Sequence, residues 1–105
     1  MMFDDYQRDA ARTINSLGHP HDLINHTLGL AGESGEVVEM VKKHLYHGRE
    51  LNQHRLAEEL GDVLWYVAAV CSSAGLSLGD VAQDNITKLR ERYPEGFASR
   101  HVSGE

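Results

Sequence analysis

Apolar residues recur along the chain at the three- and four-residue spacing of helices, in four separate segments. At about 100° per residue, this spacing places them on one face of each segment. The predicted helices cover residues 3–17, about 22–46, about 52–74 and about 78–92. Glycine or proline interrupts the pattern after each segment, as expected where a helix ends. The pattern therefore predicts an all-α chain whose four helices pack as an antiparallel bundle.

Polar residues at the predicted helix starts agree with these boundaries. Asp22 and Asn52 are suitable N-caps for the second and third helices. Ser77, followed three residues later by Asp80, resembles a capping box at the start of the fourth helix. The third segment is the most apolar of the four, so we expect it at the centre of the bundle.

Two pairs of acids border the apolar stripes of the second and third helices. Glu33 and Glu36 form the first pair, and Glu59 and Asp62 form the second. Within each pair the i,i+3 spacing places both carboxylates on the same side of a helix. Twenty-two residues separate the two pairs, enough for one helix to end and the next to return antiparallel beside it. Four carboxylates are therefore predicted to converge in the bundle core.

Convergent carboxylates raise one another's pKa unless a cation compensates their charge. Ligands that are all oxygen suit Mg²⁺ or Mn²⁺ better than zinc or copper. A single pair of this kind usually lies on a solvated helix edge, but two pairs in phase on adjacent helices favour a metal site. The predicted metal ligands, which are also the predicted catalytic residues, are Glu33, Glu36, Glu59 and Asp62.

Polar residues within two other apolar faces are candidates for ligand binding. Asn85 lies near the middle of the stripe of the fourth helix, where an unsatisfied buried amide would cost about 1–3 kcal/mol. Lys88 and Arg92 flank the same side. The alternative is a core asparagine bonded to backbone, beside two solvated cations. Gln7, on the face of the first helix, is either a half-buried amide satisfied by solvent or a group that faces the ligand.

Three segments of the chain resemble one known family. They are residues 29–36 (GLAGESGE), 58–66 (EELGDVLWY) and 85–94 (NITKLRERYP). In this order and spacing they resemble MazG-type nucleoside triphosphate pyrophosphohydrolases, and the resemblance extends from about the first helix to Phe97. It implies an all-α fold, Mg²⁺ dependence, and hydrolysis of a nucleoside triphosphate to the monophosphate and pyrophosphate. It also implies an oligomer with sites near the subunit junctions.

The resemblance implies roles for the candidate residues. The four carboxylates would hold metal ions that polarise the α-phosphate, stabilise the leaving pyrophosphate and lower the pKa of the attacking water. Lys88 would neutralise charge on the phosphate oxygens, and Asn85 would orient the sugar or the triphosphate. Arg92 and Gln7 are the remaining candidates for substrate contacts.

The general base is the least defined role. Some relatives have another acid just before the first motif, and it is a candidate for activating water. This chain has Gly32 at that position. Glu39 and Glu58 are weak substitutes.

Length and composition limit the number of domains, the partners and the location expected for the protein. A chain of 105 residues is expected to form one domain, here residues 1–97, followed by a flexible tail over 98–105. The net charge of −6 argues against a nucleic-acid polymer as partner, whereas two divalent ions would cancel the four carboxylates and admit a nucleotide. No apolar run approaches the ~20 residues that span a membrane, and the N-terminus lacks a secretory leader, so a cytoplasmic location is expected.

The small size of the chain bears on its assembly. The single cysteine, Cys71, excludes an intrachain disulfide and is expected to behave as a small hydrophobic residue. So small a core benefits from a second subunit, and we expect a homodimer or homotetramer.

Two other functions remain open from the residues alone. One is a non-catalytic regulatory module that binds metal or nucleotide, and the other is a structural helical oligomer whose acids are solvated. For the enzyme, house-cleaning of damaged nucleotides and trimming of dUTP or dCTP pools are equally compatible with the sequence.

Overall fold

The computed structural model describes residues 1–97, and all regular elements in this range are helices. In chain order they are α1 (Phe3–Ala11), α2 (His21–Tyr46), α3 (Gln53–Ala74) and α4 (Leu78–Arg92). The predicted all-α fold and the order of four helices are confirmed. The predicted tail, residues 98–105, lies outside the described residues.

Local chemistry at the helix ends agrees with two of the three predicted caps. At the start of α3, Asn52 Oδ1 accepts the N–H of Arg55 at 3.1 Å. At the start of α4, Ser77 Oγ accepts the N–H of Asp80 at 3.1 Å. Gly75, with φ +73°, follows α3 in the left-handed conformation that glycine adopts readily. These ends explain why the bounds of α3 and α4 lie within one residue of the prediction.

The first helix is shorter than predicted, because α1 ends at Ala11 rather than near residue 17. Beyond it the backbone forms tighter i,i+3 bonds, such as Thr13 N–H to the Ala10 carbonyl at 3.0 Å. The Thr13 hydroxyl donates to the same carbonyl at 2.7 Å. Thr, Ile, Asn and Ser dominate residues 13–16 and have only modest helix propensity, so the apolar spacing alone does not sustain the helix.

The predicted N-cap role of Asp22 is wrong. Because α2 begins at His21, the N-cap position is Pro20 and Asp22 lies inside the first turn. Its carboxylate instead accepts the Ser16 hydroxyl at 2.6 Å and the Leu17 N–H at 2.7 Å. Asp22 therefore ties the connection between α1 and α2 back onto the start of α2.

The helices α2 and α3 form an antiparallel hairpin. Near the start of α2, His26 Nδ1 lies 2.8 Å from Ser73 Oγ at the end of α3. Further along α2, Glu36 lines a cleft together with Glu59 from the first half of α3. Residues from successive turns of α2 thus meet progressively earlier residues of α3, which places the two acid pairs side by side.

The core of the single chain is small and centred on α3, which packs against α1, α2 and α4 as predicted. Tyr6 of α1 and Trp65 of α3 pack against the buried cluster, and the Trp65 indole donates to the Thr13 hydroxyl at 2.8 Å. The buried apolar residues are Ala10, Ala68, Ala69, Cys71 and Leu78. Since most of these side chains are small, the chain buries little apolar volume on its own.

The last helix does not run alongside the hairpin, because α4 turns away from α3 by 105°. Within one chain, α1 thus packs against the α2–α3 hairpin, and α4 diverges from it. The radius of gyration of the chain is 16.9 Å, whereas about 13 Å is typical of a globular chain of this length. Among residues 1–97, no single helix is both long and apolar enough to cross a membrane; only α3 and α4 taken together, as a bent pair, meet that combined criterion of length and composition.

Candidate metal centre and the adjoining cleft

The two acid pairs meet where α2 lies against α3. One carboxylate oxygen each from Glu33, Glu59 and Asp62 lies within 4.8 Å of the other two. Glu33 and Glu59 are half-buried, and Asp62 is exposed. Contact with Glu36 lowers the pKa of Glu59, and both residues line the adjoining cleft. The structure therefore brings the four sequence candidates together, three in one group and the fourth at its edge.

The electrostatics of this group are those of crowded acids. The pKa of Glu59 is raised, principally because contact with the Glu33 carboxyl favours the protonated form. Glu36 acts in the opposite direction, while burial and the charges of Glu33 and Asp62 raise the pKa further. A pKa raised by neighbouring carboxylates indicates that positive charge is missing from the group.

A divalent cation fits these donors. Within residues 1–97, Oε2 of Glu33 and Oε2 of Glu59 are buried and have no hydrogen-bond partner, so both atoms lack the compensation that buried oxygens normally find. Bonds of 2.0–2.1 Å in an octahedral Mg²⁺ site separate its ligand oxygens by about 3–4 Å. The three carboxylate oxygens already lie within 4.8 Å of one another, close to that spacing. Glu33, Glu59 and Asp62 would hold the ion, with Glu36 beside them.

Two tyrosines lie at the packing of this region: Tyr6 near the acids and Tyr66 between α2 and α3. Burial raises the pKa of Tyr6, and the charge of Asp62 adds to this effect, which places the Tyr6 phenol near the acids. The Tyr66 ring lies against Gly29 of α2 so closely that a Cβ at Gly29 would overlap it. Gly29 thus permits the close approach of the two helices. No spacing along the chain relates Tyr6 to Asp62, so only the fold reveals their proximity.

A cleft of about 430 Å³ opens beside the carboxylates, between the end of α2 and the start of α3. Besides Glu36 and Glu59 it is lined by three cations: Lys43, Arg49 and Arg55. Arg55 precedes Glu59 by four residues, so helical spacing could have identified it. Arg49 lies in the connection between the helices, where no sequence signal distinguishes it.

Gln7, a predicted substrate contact, forms three hydrogen bonds within the chain. Gln7 Nε2 donates to Ser72 Oγ at 3.1 Å and to the Leu76 carbonyl at 2.9 Å, and Oε1 accepts the Leu78 N–H at 2.7 Å. The side chain is half-buried. Its amide holds the connection between α3 and α4, and the contact of Gln7 with a ligand stays a prediction.

The predicted burial of Asn85 is wrong, because Asn85, Lys88 and Arg92 are all exposed on α4. The apolar stripe around them is itself largely uncovered, with Ile86 43% and Leu89 38% exposed. Neither the carboxylate group nor the cleft includes a residue of α4. Within one chain, the fourth helix therefore does not supply its polar residues to the acidic group.

The two candidates for the general base are distinguished by their surroundings. Glu39 lines the cleft with Glu36 and lies 3.9 Å from the Lys43 ammonium. Glu58 does not line the cleft and lies 3.2 Å from His54 Nε2 on the same helix. Of the two, Glu39 is placed beside the acidic group.

Comparison with known proteins agrees with this geometry. A family model described as the MazG nucleotide pyrophosphohydrolase domain matches residues 22–97, which contain both acid pairs, the cleft and α4. The chain belongs to the MazG family. This family is generally metal-dependent, so the MazG domain accounts for a carboxylate group that lacks compensating charge. The match supports nucleotide pyrophosphohydrolase activity as the class of function.

A curated relative extends the comparison without assigning an activity. The MazG chain is 40% identical over 74 residues to the "Gene 37 protein" of Mycobacterium phage L5. The aligned region covers 67% of this chain and 65% of the phage protein, so the MazG chain spans just under two thirds of that relative. No solved structure matches the chain.

Proposed function

We propose that this MazG domain hydrolyses nucleoside triphosphates, with Mg²⁺, between the α- and β-phosphates. The observation that carries the proposal is the group of Glu33, Glu59 and Asp62, which lacks compensating charge and adjoins a cleft lined by cations. In the reaction the oxygen of one water bonds to the α-phosphorus. The bond from that phosphorus to the α–β bridging oxygen breaks, and the bridging oxygen leaves with pyrophosphate. The products are a nucleoside monophosphate and pyrophosphate.

The residues of the centre have separate roles in the proposed reaction. Glu33, Glu59 and Asp62 hold the ion, and Glu36 extends the ligand set toward the cleft. Bound Mg²⁺, for which Mn²⁺ is a substitute, supplies positive charge to the phosphates and lowers the pKa of the attacking water. Glu39, the general-base candidate that lines the cleft with Glu36, accepts the water proton.

A second copy of the chain completes the proposed site. Asn85, Lys88 and Arg92 remain the proposed contacts for sugar and phosphate, but α4 carries them outside the cleft of its own chain. A homodimer or homotetramer with the site near the subunit junction would bring them to the substrate. We propose house-cleaning of the nucleotide pool in the cytoplasm as the setting of this activity.

The test is an assay of the purified protein with a panel of NTPs and dNTPs, with and without Mg²⁺, in which nucleotide and phosphate products are separated. We expect metal-dependent release of monophosphate and pyrophosphate in equal amounts. Glu59→Gln is expected to lower turnover at least about a hundredfold, because even outer-shell partners of metal ligands are worth 10–100-fold. Glu58→Gln, the matched control outside the centre, is expected to retain activity.

The other outcomes distinguish the remaining functions. Diphosphate and orthophosphate as products would place the cut at a different bond. Binding of Mg²⁺ and nucleotide without turnover under any metal would indicate a non-catalytic module. Absence of both binding and turnover would indicate a structural oligomer.

A further inference from the structure

The connection between α2 and α3 is folded so that it holds one arginine in place. The Lys43 carbonyl accepts the N–H of His47 at 3.1 Å and the N–H of Arg49 at 3.2 Å, with Gly48 between them at φ +65°. His44 Nδ1 lies 2.8 Å from the Arg49 carbonyl. Since a carbonyl only accepts, Nδ1 carries the proton and donates. Both backbone groups of Arg49 are thus bonded to the last turn of α2.

Arg49 lines the cleft beside the carboxylates, as do Lys43 and Arg55. Within residues 1–97, no hydrogen bond or ion pair engages the guanidinium group of Arg49 or of Arg55. Lys43 has only an exposed contact of 3.9 Å with Glu39, and pairs of this kind contribute little. The cleft therefore contains cations whose hydrogen-bonding capacity is largely free.

The charge of the cleft favours an anion. Glu36 and Glu59 belong to the metal centre, which leaves three cations, Lys43, Arg49 and Arg55, against two carboxylates among the remaining lining residues, Glu39 and Glu50. The chain as a whole has 16 acidic and 10 basic residues. The whole lining has four carboxylates and three cations, so the cations of the cleft exceed its remaining carboxylates, by one, once a metal ion neutralises Glu36 and Glu59.

We infer that Arg49 and Lys43 bind the outermost phosphate of the substrate, and that the cleft thereby selects nucleoside triphosphates over diphosphates. This inference rests on the proposed function, in which the α-phosphate lies at the carboxylates. The rest of the triphosphate then extends along the cleft, and a diphosphate ends before it reaches the connection. The planar guanidinium of Arg49 matches two phosphate oxygens at once.

A nucleobase is the rival occupant of the cleft. Met40 and Leu51 offer it some apolar surface. A neutral base would, however, leave the guanidinium groups of Arg49 and Arg55 without a charged partner. The terminal phosphate satisfies the lining better, and its volume is compatible with a cleft of about 430 Å³.

The test compares kcat/KM for a nucleoside triphosphate and for the diphosphate of the same nucleoside, which share the same α–β bond. Arg49→Ala is expected to lower the value for the triphosphate about tenfold or more, as loss of a charged hydrogen bond does. The value for the diphosphate should stay within about twofold. Lys43→Ala should act in the same direction, and Arg49→Lys should restore part of the loss. Lys42→Ala, one residue away and outside the cleft, is the matched control.

Three results of the kinetic test would overturn the inference. An equal loss on triphosphate and diphosphate would mean that Arg49 acts on the nucleoside, the α-phosphate or the fold. Unchanged kinetics would mean that the cleft does not hold the terminal phosphate. A loss that follows the identity of the base rather than the number of phosphates would assign the cleft to the base.

A binding measurement separates this inference from the proposed reaction. Calorimetric titration with Mg²⁺ and inorganic tripolyphosphate requires no turnover. We expect Arg49→Ala to weaken this binding about tenfold relative to wild type and Lys42→Ala to leave it unchanged. That result would support phosphate binding in the cleft even if no nucleotide were hydrolysed. Equal binding of tripolyphosphate by wild type and both variants would refute phosphate binding in the cleft.

Discussion

At Glu59, metal binding requires the ionised carboxylate, whereas the folded chain without metal favours the protonated carboxyl group. The Glu33 carboxyl raises the pKa of Glu59 above its ordinary value of 4.5. Without metal, the folded chain therefore keeps the proton on Glu59 to a higher pH than the unfolded chain does. Its stability falls as the pH rises from about 4.5 through the raised pKa of Glu59. A cation binds the ionised form and reverses the effect, because metal ligands must be deprotonated.

The first prediction concerns the substitution Glu59→Gln in thermal unfolding. With a chelator present, the variant should unfold at a higher temperature than wild type, because an unfavourable charge is removed from the group. Addition of Mg²⁺ should raise the midpoint of wild type but raise that of the variant much less. Glu58→Gln serves as the control and should respond to Mg²⁺ as wild type does. A wild-type midpoint insensitive to Mg²⁺ would argue against the metal centre.

Glycine substitutions in α2 provide a second prediction at the residue scale. Gly29→Ala places a Cβ into the Tyr66 ring, and such overpacking costs about 1–3 kcal/mol. Gly32→Ala meets nothing within 4 Å and should be neutral or stabilise by up to about 1 kcal/mol through helix propensity. Urea unfolding of both variants measures the two free energies. Equal effects would mean that the α2–α3 approach does not depend on Gly29.

Among the elements, α1 packs against α3 and is also held by polar contacts with α4 and the turn before it. Asp4 Oδ1 accepts the Ser77 hydroxyl at 2.8 Å and the Gly79 N–H at 2.9 Å. Gln7 bonds to the same connection on its other side, at Leu76 and Leu78. A carboxylate at a helix N-terminus also complements the helix dipole. The two contacts from α1 together fix where α4 begins.

The pH dependence of this contact follows from the sign of the pKa shift. The Gly79 N–H and then the Ser77 hydroxyl lower the pKa of Asp4 below its ordinary value of 3.8. The ionised Asp4 therefore stabilises the fold above pH 3.8, and this contribution is lost as the pH falls through the lowered pKa.

We accordingly expect Asp4→Asn to lower the thermal midpoint at pH 7, with the gap to wild type closing below about pH 3.8. Asp9→Asn, on the same helix but without contact to α4, is the control and should show a smaller gap. A gap that persists at low pH would assign the effect of Asp4 to packing rather than to charge.

For the whole molecule, many large apolar side chains are exposed in the single chain. On α2, Val38, Val41 and Leu45 form one stripe, and they are 64%, 36% and 63% exposed. Leu60 of α3 adds a further exposed side chain at 50%. Contiguous apolar surface of this kind marks an interaction site. Together with the small core, it favours assembly of several copies of the chain.

The prediction at this scale is that Val38→Glu disrupts the assembly. The side chain contributes little to the fold of one chain, so the helical content should persist while the mass measured by light scattering falls to that of one chain. Asn25→Glu, on the opposite side of α2, should leave the assembly intact. If α4 of a second copy completes the site, Val38→Glu should also lower turnover. A wild-type protein that is already a monomer would refute this prediction.

Much of the architecture follows from the sequence because it depends on neighbours along the chain. The spacing of apolar residues, the cap at Asn52 and the glycine at position 75 are local, and they determine α2, α3 and α4 nearly to the residue. The i,i+3 spacing within each acid pair is local as well. Once α2 and α3 return antiparallel, Glu33 and Glu59 are expected to meet, and the structure brings them together.

Only the tertiary structure decided the features that depend on how distant segments approach one another. The 105° turn of α4, the exposure of Asn85 and the structural role of Gln7 follow from contacts across the α3–α4 connection. Arg49 faces the acids because the connection folds back over the end of α2. Helical periodicity specifies which residues share a face of a helix. Which faces meet is determined by the crossing angles of the helices and the path of the loops, and these depend on packing between segments remote in sequence.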